Sequence, residues 1–214
     1  MRNRSRILIA DDHNLVAELC KSLLETEFDV VGVVSDGRAL VRAASELKPD
    51  VIVVDVAMPI LNGLDAGQQV KGMLPAVKLL YLTMNSDVDV AAEAFRRGAS
   101  GYLLKTCAAA EMVVAVREVL RGKLYVSRGL SQDAINCSRW QNKKLVQEDE
   151  RLTERQREVL QLLAEGKLMK EVGDVLNMTP RTVAYHKYRM MAVLGAKSSA
   201  ELVKYAVRNH MVAA

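Results

Sequence analysis

Residues 51–64, VIVVDVAMPILNGL, decide the fold of this 214-residue chain. The stretch opens with four consecutive apolar residues, Val51–Val54, and reaches an acid at Asp55. A short run that is apolar at every position is typical of a strand buried on both faces of a sheet. A loop with a proline and a glycine follows, and an amphipathic helix is predicted near residues 64–73. The stretch therefore predicts one unit of β-strand, loop and α-helix.

The same unit recurs on both sides of this stretch. The four other apolar runs each precede a helical pattern, and they are Arg6–Ala10, Val30–Val34, Lys78–Leu82 and Tyr102–Leu104. Near-continuous apolar strands that alternate with helices are typical of a parallel sheet with helices on both faces. The sequence therefore predicts a doubly wound α/β fold with a five-stranded parallel sheet.

The alternation stops at about residue 122, and the chain is predicted to have three parts. The middle part loses the apolar periodicity and is rich in polar residues, which indicates a linker. The last part has only the helical period. The predicted parts are residues 1–122, 123–150 and 151–214.

The last part is predicted to be a small all-α domain of four helices. Thr153 and Gln156 have the spacing of a capping box, which starts the first helix. The pair Thr179-Pro180 supplies an N-cap and a first helical residue, and Gly195 ends the same helix. The other two helices are predicted at Glu171–Leu176 and Ala200–Val207.

The charge of the chain differs between these parts. The whole chain has a formal charge of +4, but residues 1–122 carry −2 and residues 151–214 carry +5. A compact basic block beside a mildly acidic one suggests two domains with different partners, the basic one with nucleic acid.

Cysteine usage and hydropathy indicate where the chain works. The three cysteines, Cys20, Cys107 and Cys137, are far apart and have no metal-ligand spacing, which favours reduced thiols in a cytoplasmic protein. The apolar runs are too short for a membrane helix, and the N-terminus lacks the apolar stretch of a signal peptide. We therefore expect a cytoplasmic protein with no membrane partner.

Three acids follow two of the predicted strands. Asp11 and Asp12 come after the first strand, and Asp55 follows the third. The carboxyl ends of the strands of a doubly wound sheet line one crevice, so we expect these carboxylates to converge. Carboxylates that are close together repel one another unless a cation neutralises them, and hard oxygen ligands suit Mg²⁺.

Two further side chains are expected in the same crevice. Thr83 follows the fourth strand and Lys105 follows the fifth. A carboxylate nucleophile, a Mg²⁺ site, a lysine and a hydroxyl are the groups needed to receive a phosphoryl group. In that chemistry Asp55 attacks in line, and the metal and Lys105 neutralise the transferred oxygens.

These residues resemble the receiver domain of two-component response regulators. The resemblance covers residues 5–121, and it rests on Asp11-Asp12, the run DVAMPILNGL that starts at Asp55, Thr83 and the run YLLK at residues 102–105. It implies a flavodoxin-like fold and phosphorylation of Asp55 by a sensor histidine kinase.

The resemblance also implies roles for the neighbouring residues. Mg²⁺ would be held by Asp12, Asp55 and the carbonyl of Ala57, with Asp11 acting through water. Thr83 would move to bond the phosphoryl group, and Tyr102 would turn inward.

The C-terminal part resembles the LuxR-type helix-turn-helix domain. The matching residues are Leu152-Thr153, Glu158-Val159-Leu160, Gly166-Lys167, Lys170-Glu171-Val172, Thr182-Val183, His186 and Leu194-Gly195. With the receiver, the chain is similar to the NarL/FixJ group of transcription regulators. It departs from the usual pattern at Glu154, at Leu168-Met169 and at Gly173, and the second departure removes a hydroxyl cap from the second helix.

The helix after Pro180 has two distinct faces. Val183, His186, Met190 and Leu194 form the apolar stripe that is predicted to face inward, with His186 as a structural residue. A helix of this kind offers its other face to the major groove. By family position, the base-reading candidates are Ala184, Tyr185 and Tyr188. The phosphate-contact candidates are Lys170, Arg181, Thr182, Lys187 and Arg189.

The sequence thus predicts a DNA-binding response regulator and not an enzyme. Phosphorylation would control dimerisation and sequence-specific promoter binding. Its expected partners are a sensor histidine kinase, double-stranded promoter DNA, a second copy of the chain when phosphorylated, and RNA polymerase.

Two alternatives use the same aspartyl-phosphate site. One is a Mg²⁺-dependent phosphatase-like enzyme, although the paired acids of such enzymes usually share one strand end, whereas Asp12 and Asp55 lie on different strands. The other is a phosphate-sink or RNA-binding regulator, which the +5 block and the reading helix disfavour.

Overall fold

The stretch at residues 51–64 folds as predicted. Strand β3, Val51–Asp55, is buried at every residue, and helix α3, Gly63–Met73, follows it. The computed structural model describes residues 4–84, 86–128, 130 and 152–212. Most of the predicted linker, residues 123–150, therefore lies outside the described residues. The chain forms two compact units, and each is described by itself.

The first unit alternates strands and helices along the chain. Its strands are β1 Arg6–Ala10, β2 Asp29–Val34, β3, β4 Lys78–Thr83, β5 Gly101–Leu104 and β6 Tyr125–Val126, and its helices are α1 Asn14–Leu24, α2 Gly37–Leu47, α3, α4 Val88–Arg96 and α5 Ala108–Leu120. All strand pairs among the described residues are parallel, in the order β2-β1-β3-β4-β5-β6. The doubly wound α/β prediction is confirmed.

The sheet has one strand more than the five predicted, within the part of the chain that the structure describes. Strand β6 consists of Tyr125 and Val126, which pair with Gly101 and Tyr102 of β5. These two residues fall in the segment that was predicted to be linker. A strand of two residues is too short to show a hydrophobic period, so the pattern gave no sign of it.

The strands alternate their side chains between two apolar layers. Ile7, Ile9, Val53, Leu80 and Leu103 belong to one buried cluster with residues of α1 and α5. The residues between them point to the opposite face, where Tyr81 lies against Gly67 of α3. Because both faces of the sheet are covered, only the ends of the strands can carry polar side chains at low cost.

The second unit is wholly helical among its described residues. Its helices are α6 Glu154–Ala164, α7 Met169–Leu176, α8 Pro180–Leu194 and α9 Ser199–Arg208. They enclose a separate apolar cluster that includes Leu160, Val172, Val183, Met190 and Leu202. The four-helix prediction is confirmed.

The local signals for these helices act as predicted. Gln156 Oε1 accepts from the Thr153 backbone N–H at 2.9 Å, and Thr153 Oγ1 accepts from the Gln156 N–H at 3.3 Å, which completes the capping box. Thr179 caps α8, and Gly195 ends it with a φ of +68°.

Helix α7 has an unusual start. Its N-cap is Leu168, whose side chain is 69% exposed and makes no capping bond. The Leu168 N–H still donates to Glu171 Oε2 at 2.7 Å, so half of a capping box remains. That bond explains why the helix begins before the predicted Glu171.

None of the helices in the described ranges combines the length and the hydrophobicity that a bilayer crossing needs.

Gly63 and Gly72 allow a matched test of how tightly α3 lies against the end of β3. A Cβ at Gly63 would lie 1.9 Å from the Asp55 carbonyl oxygen, whereas a Cβ at Gly72 would meet nothing within 4 Å. We expect Gly63→Ala to lower the free energy of unfolding by about 2 kcal/mol, as overpacking does. We expect Gly72→Ala to raise it by about 0.5 kcal/mol through helix propensity. Calorimetry of the full chain measures both, and equal effects would contradict this account of the α3 start.

Candidate functional site

The residues predicted to form the acidic crevice lie at the carboxyl ends of four strands. Asp11 and Asp12 follow β1, Asp55 ends β3, Thr83 ends β4 and Lys105 follows β5. The connection after β1 leads to β2 on one side and the connection after β3 leads to β4 on the other, so a crevice opens between the ends of β1 and β3. We call Asp11, Asp12, Asp55 and Lys105 the acidic pocket.

One lysine bridges two buried carboxylates in this pocket. Lys105 Nζ donates to Asp55 Oδ2 at 2.7 Å and lies 2.9 Å from Asp11 Oδ2. All three side chains are nearly inaccessible to solvent. A buried carboxylate is costly unless it is paired. Lys105 therefore supplies the positive charge that lets Asp55 and Asp11 lie side by side.

Burial and neighbouring charges shift the pKa values of Asp55 and Lys105. Burial raises the pKa of Asp55, the Lys105 ammonium acts in the opposite direction, and the Asp11 charge adds to the rise. Burial by itself would lower the pKa of Lys105, but the hydrogen bonds and charges of Asp55 and Asp11 outweigh it, so this pKa is raised. The lysine thus stays charged, and the Asp55 carboxylate is less well solvated than an ordinary aspartate.

The structure adds His13 to the pocket, a residue that the sequence analysis missed. His13 Nδ1 lies 2.8 Å from Asp12 Oδ1, 3.4 Å from Asp11 Oδ1 and 3.9 Å from Asp55 Oδ2. The one readable signal was its position directly after the acid pair, and a lone histidine has no ligand spacing to support it.

The donor set of the pocket fits a divalent cation. Ligand atoms of Asp11, Asp12, His13 and Asp55 lie within 4.8 Å of one another, and the part of the chain that the structure describes has no other such group. Among the described residues, the 2.9 Å contact with Lys105 Nζ is the one polar contact of buried Asp11 Oδ2, so this oxygen keeps a lone pair for a cation. Ala57, the predicted carbonyl ligand, is in the adjoining loop, and its N–H donates to Asp55 Oδ1 at 3.2 Å.

Thr83 and Tyr102 lie together beside the pocket. Both side chains are buried, and a hydrogen bond joins them. Burial raises the pKa of Tyr102, and the Thr83 bond offsets part of that rise. Tyr102 is fully buried in this structure.

Helix α8 in the second unit has the two faces that the sequence predicts. Val183 and Met190 are fully buried, whereas the side chains of Tyr185 and Tyr188 are 61% and 64% exposed. Of the other DNA-contact candidates, Lys170, Arg181, Thr182 and Arg189 are exposed, and Ala184 and Lys187 are half-buried. The Thr182 hydroxyl lies 2.9 Å from that of the N-cap residue Thr179.

His186 behaves as a packed residue. Its ring is half-buried and meets the ring of Tyr185 edge-on at 5.7 Å. Burial lowers its pKa, and the charge of Arg155 lowers it further. Among the described residues His186 is in no cluster of metal-ligating side chains, and its structural role stays a prediction.

Two family models match the chain. Residues 7–117 match the family described as "Response regulator receiver domain", and residues 150–206 match "Bacterial regulatory proteins, luxR family". The first match contains the acidic pocket, and the second contains α8.

Two relatives align with this chain over nearly their whole length. The chain is 35% identical over 209 residues to the transcriptional regulatory protein LiaR of Bacillus subtilis, covering 97% of this chain and 99% of that protein. It is 33% identical over 214 residues to the oxygen regulatory protein NreC of Staphylococcus aureus, with the same coverage.

Two solved structures of a response regulator also match this chain over nearly its whole length. The RcsB response regulator of Salmonella typhimurium is 26% identical and matches with a TM-score of 0.62 over 98% of this chain and 100% of that one. A structure described as two RcsB dimers bound to two parallel DNAs is 27% identical and matches with a TM-score of 0.60, covering 95% of this chain and 98% of that one.

Asp12 allows a test of the charge balance in the pocket. Without divalent cations, we expect Asp12→Asn to raise the free energy of unfolding by about 1 kcal/mol, because it removes one of three neighbouring negative charges. Added Mg²⁺ should stabilise the wild-type chain, since a ligand of the folded state does so by mass action, and should stabilise the variant much less.

Thermal unfolding with and without MgCl₂ measures both effects. Asp29→Asn, at an exposed acid on β2, is the control and should stay within about 0.5 kcal/mol of wild type. An Asp12→Asn chain that is less stable than wild type and keeps its full response to Mg²⁺ would contradict this account of the pocket.

Proposed function

The chain belongs to the two-component response regulators of the NarL/FixJ group, and from that premise we propose that phosphorylation of Asp55 by a sensor histidine kinase controls its binding to promoter DNA. Proteins of this family are DNA-binding transcriptional regulators and not enzymes, so the phosphatase-like alternative is set aside. The LuxR-type domain likewise disfavours a phosphate-sink or RNA-binding role. We assign residues 1–122 to the receiver, 123–150 to a linker whose residues Tyr125 and Val126 join the receiver sheet, and 151–214 to the DNA-binding domain.

The contact of Lys105 with Asp55 carries this proposal. A phosphoryl acceptor must be a carboxylate that is poorly solvated and faces a cation able to neutralise the incoming oxygens. Asp55 is buried at the end of β3 with Lys105 Nζ at 2.7 Å, and it has both properties.

The transfer needs no group beyond the kinase phosphohistidine, the pocket and a divalent cation. An Asp55 oxygen attacks phosphorus in line, a P–O bond forms, the P–N bond breaks, and the histidine leaves with the bonding pair and takes up a proton. Asp11, Asp12, Asp55 and the Ala57 carbonyl would hold Mg²⁺, which would neutralise charge on the phosphoryl oxygens. Lys105 pairs with a second phosphoryl oxygen, and His13 orients Asp12.

The Thr83–Tyr102 hydrogen bond supports a way for the transferred group to be sensed. A phosphoryl group on Asp55 offers strong acceptor oxygens. Thr83 lies at the end of the neighbouring strand, so its hydroxyl can turn to the new group. Tyr102 then loses a partner for a buried hydroxyl, which favours rearrangement around β4 and β5.

Helix α8 would make most of the contacts with DNA. Arg181, Lys187 and Arg189, with Lys170 and Thr182, would contact phosphates, and Ala184, Tyr185 and Tyr188 would meet base edges. The exposed reading face is poor in Arg, Asn and Gln, so apolar contacts to thymine methyl groups and DNA shape would carry much of the specificity.

The phosphorylated chain would bind as a homodimer. A structure of the RcsB relative contains dimers on DNA, and dimers of this type of motif read two half-sites about one helical turn apart. RNA polymerase and the histidine kinase are the protein partners that the family resemblance implies, and the predicted cytoplasmic location belongs to the same proposal.

Intact-mass spectrometry and DNA binding test the switch together. We expect wild-type chain with Mg²⁺ and acetyl phosphate to gain one phosphoryl group, and to bind a duplex selected from a random-sequence pool more tightly. Asp55→Ala should gain neither mass nor affinity. An Asp55→Ala chain that responds like wild type in both measurements would contradict the proposal.

The salt dependence of binding tests the α8 contacts. Each phosphate contact that is lost should reduce the slope of log K against log salt concentration by about 0.9. We therefore expect Lys187→Ala and Arg189→Ala each to flatten the slope. Lys204→Ala, which removes an exposed charge from α9, is the matched control and should leave it unchanged. Equal slopes for all three variants would remove Lys187 and Arg189 from the contact set.

A further inference from the structure

The chain leaves the receiver through a short segment that is attached to the edge of the sheet. We call residues 125–128 with Leu130 the strap; it contains β6 and is the last part of the chain described before residue 152. Ser127 and Leu130 are buried, and Tyr125 packs against the apolar cluster of α1 and α5. The first part of the predicted linker is therefore built into the receiver.

Backbone hydrogen bonds fix the strap to β5. The Tyr125 N–H donates to the Ser100 carbonyl at 3.1 Å, and the Ser127 N–H donates to the Tyr102 carbonyl at 2.9 Å. Gly101 permits this approach, because a Cβ there would lie 3.2 Å from the Tyr125 carbonyl oxygen and 2.7 Å from Leu80. A strand of two residues is shorter than nearly all strands, so these bonds alone hold it weakly.

The carboxylate of Glu111 also attaches the strap to the receiver. The hydroxyls of Tyr125 and Ser127 both donate to Glu111 Oε2 at 3.0 Å. Burial raises the pKa of Tyr125 to about 12, and the Glu111 bond and charge add to the rise, so this phenol remains a donor. Hydrogen bonds to a charged acceptor are stronger than neutral ones, and Glu111 therefore secures the strap.

Both attachments are made to elements that adjoin or carry residues of the phosphoryl site. The backbone bond from Ser127 ends on Tyr102, whose side chain is bonded to Thr83. Glu111 is in the first turn of α5, which begins after the turn Lys105–Cys107. A movement of β5 or of Lys105 thus reaches the strap through the sheet and through α5.

We propose that the strap, secured by Glu111, couples phosphorylation of Asp55 to the linker and so to DNA binding. This role rests on the function proposed above and adds a coupling element to it. When Glu111 holds the strap, a shift of β5 and α5 changes where the linker starts. When the strap is released, a shift of β5 and α5 is no longer transmitted to the linker.

Three variants and one control separate the strap from general stability. Glu111→Ala removes the shared acceptor, and Tyr125→Phe with Ser127→Ala removes both donors. Glu111→Gln keeps an acceptor oxygen for the two hydroxyls. Glu46→Ala, at an exposed residue of α2, is the control for loss of a helical carboxylate.

Three measurements are made on each full-length chain. Hydrogen exchange reports protection of the strap amides, intact mass reports phosphorylation by acetyl phosphate, and affinity for the selected duplex is measured before and after phosphorylation. For Glu111→Ala and the double variant, we expect strap amides to exchange about tenfold faster, as in a local opening. The affinity gain on phosphorylation should shrink about fivefold, a typical coupling factor. Phosphorylation should be unchanged, Glu111→Gln should keep most of the gain, and Glu46→Ala should match wild type.

Each other outcome overturns the coupling role. Unchanged strap exchange in Glu111→Ala would show that Glu111 does not secure the strap. Faster exchange with a full affinity gain would show that the strap does not couple the two parts. If the wild-type chain is phosphorylated and gains no affinity, the proposed function fails first and the coupling role fails with it.

Discussion

Every part of the acidic pocket depends on the contact of one lysine with two buried carboxylates. Asp11 directly follows β1 and Asp55 ends the neighbouring strand β3 in a sheet that is covered on both faces, so their carboxylates meet in a place with little water. Lys105 is the nearest compensating charge, at 2.7 Å from Asp55 and 2.9 Å from Asp11. An incoming cation would relieve the electrostatic cost of this arrangement, whereas a phosphoryl group would add negative charge to it. The same residues therefore limit stability and make the site responsive.

That constraint explains why the responsive elements cluster around β4 and β5. Lys105 is joined to β5, Tyr102 lies on β5, and Thr83 ends β4. Any change in what Lys105 contacts acts on a strand that is covalently and sterically tied to the Thr83–Tyr102 bond and, through Glu111, to the strap. The acceptor and the start of the linker are thus separated by few packed elements.

Much of this arrangement could be predicted from sequence, because continuous apolar runs that end in polar residues define both the strands and the site. The strands, Asp11, Asp55, Thr83 and Lys105 follow from that pattern, and so does the buried stripe of α8. His13 was missed although its position beside Asp12 was readable, since a lone histidine has no spacing signal. Strand β6 and Glu111 were missed for a deeper reason: two residues show no period, and the Glu111 bonds join residues that only the fold brings together.

We propose that phosphorylation of Asp55 controls how tightly the chain binds its promoter sites. The most direct test is sequencing of genomic fragments recovered with purified wild-type and Asp55→Ala chains, each incubated with Mg²⁺ and acetyl phosphate. The account predicts discrete promoter sites with paired half-sites for wild type, and loss of most of them for Asp55→Ala. The same sites recovered with the same occupancy by both chains would contradict it.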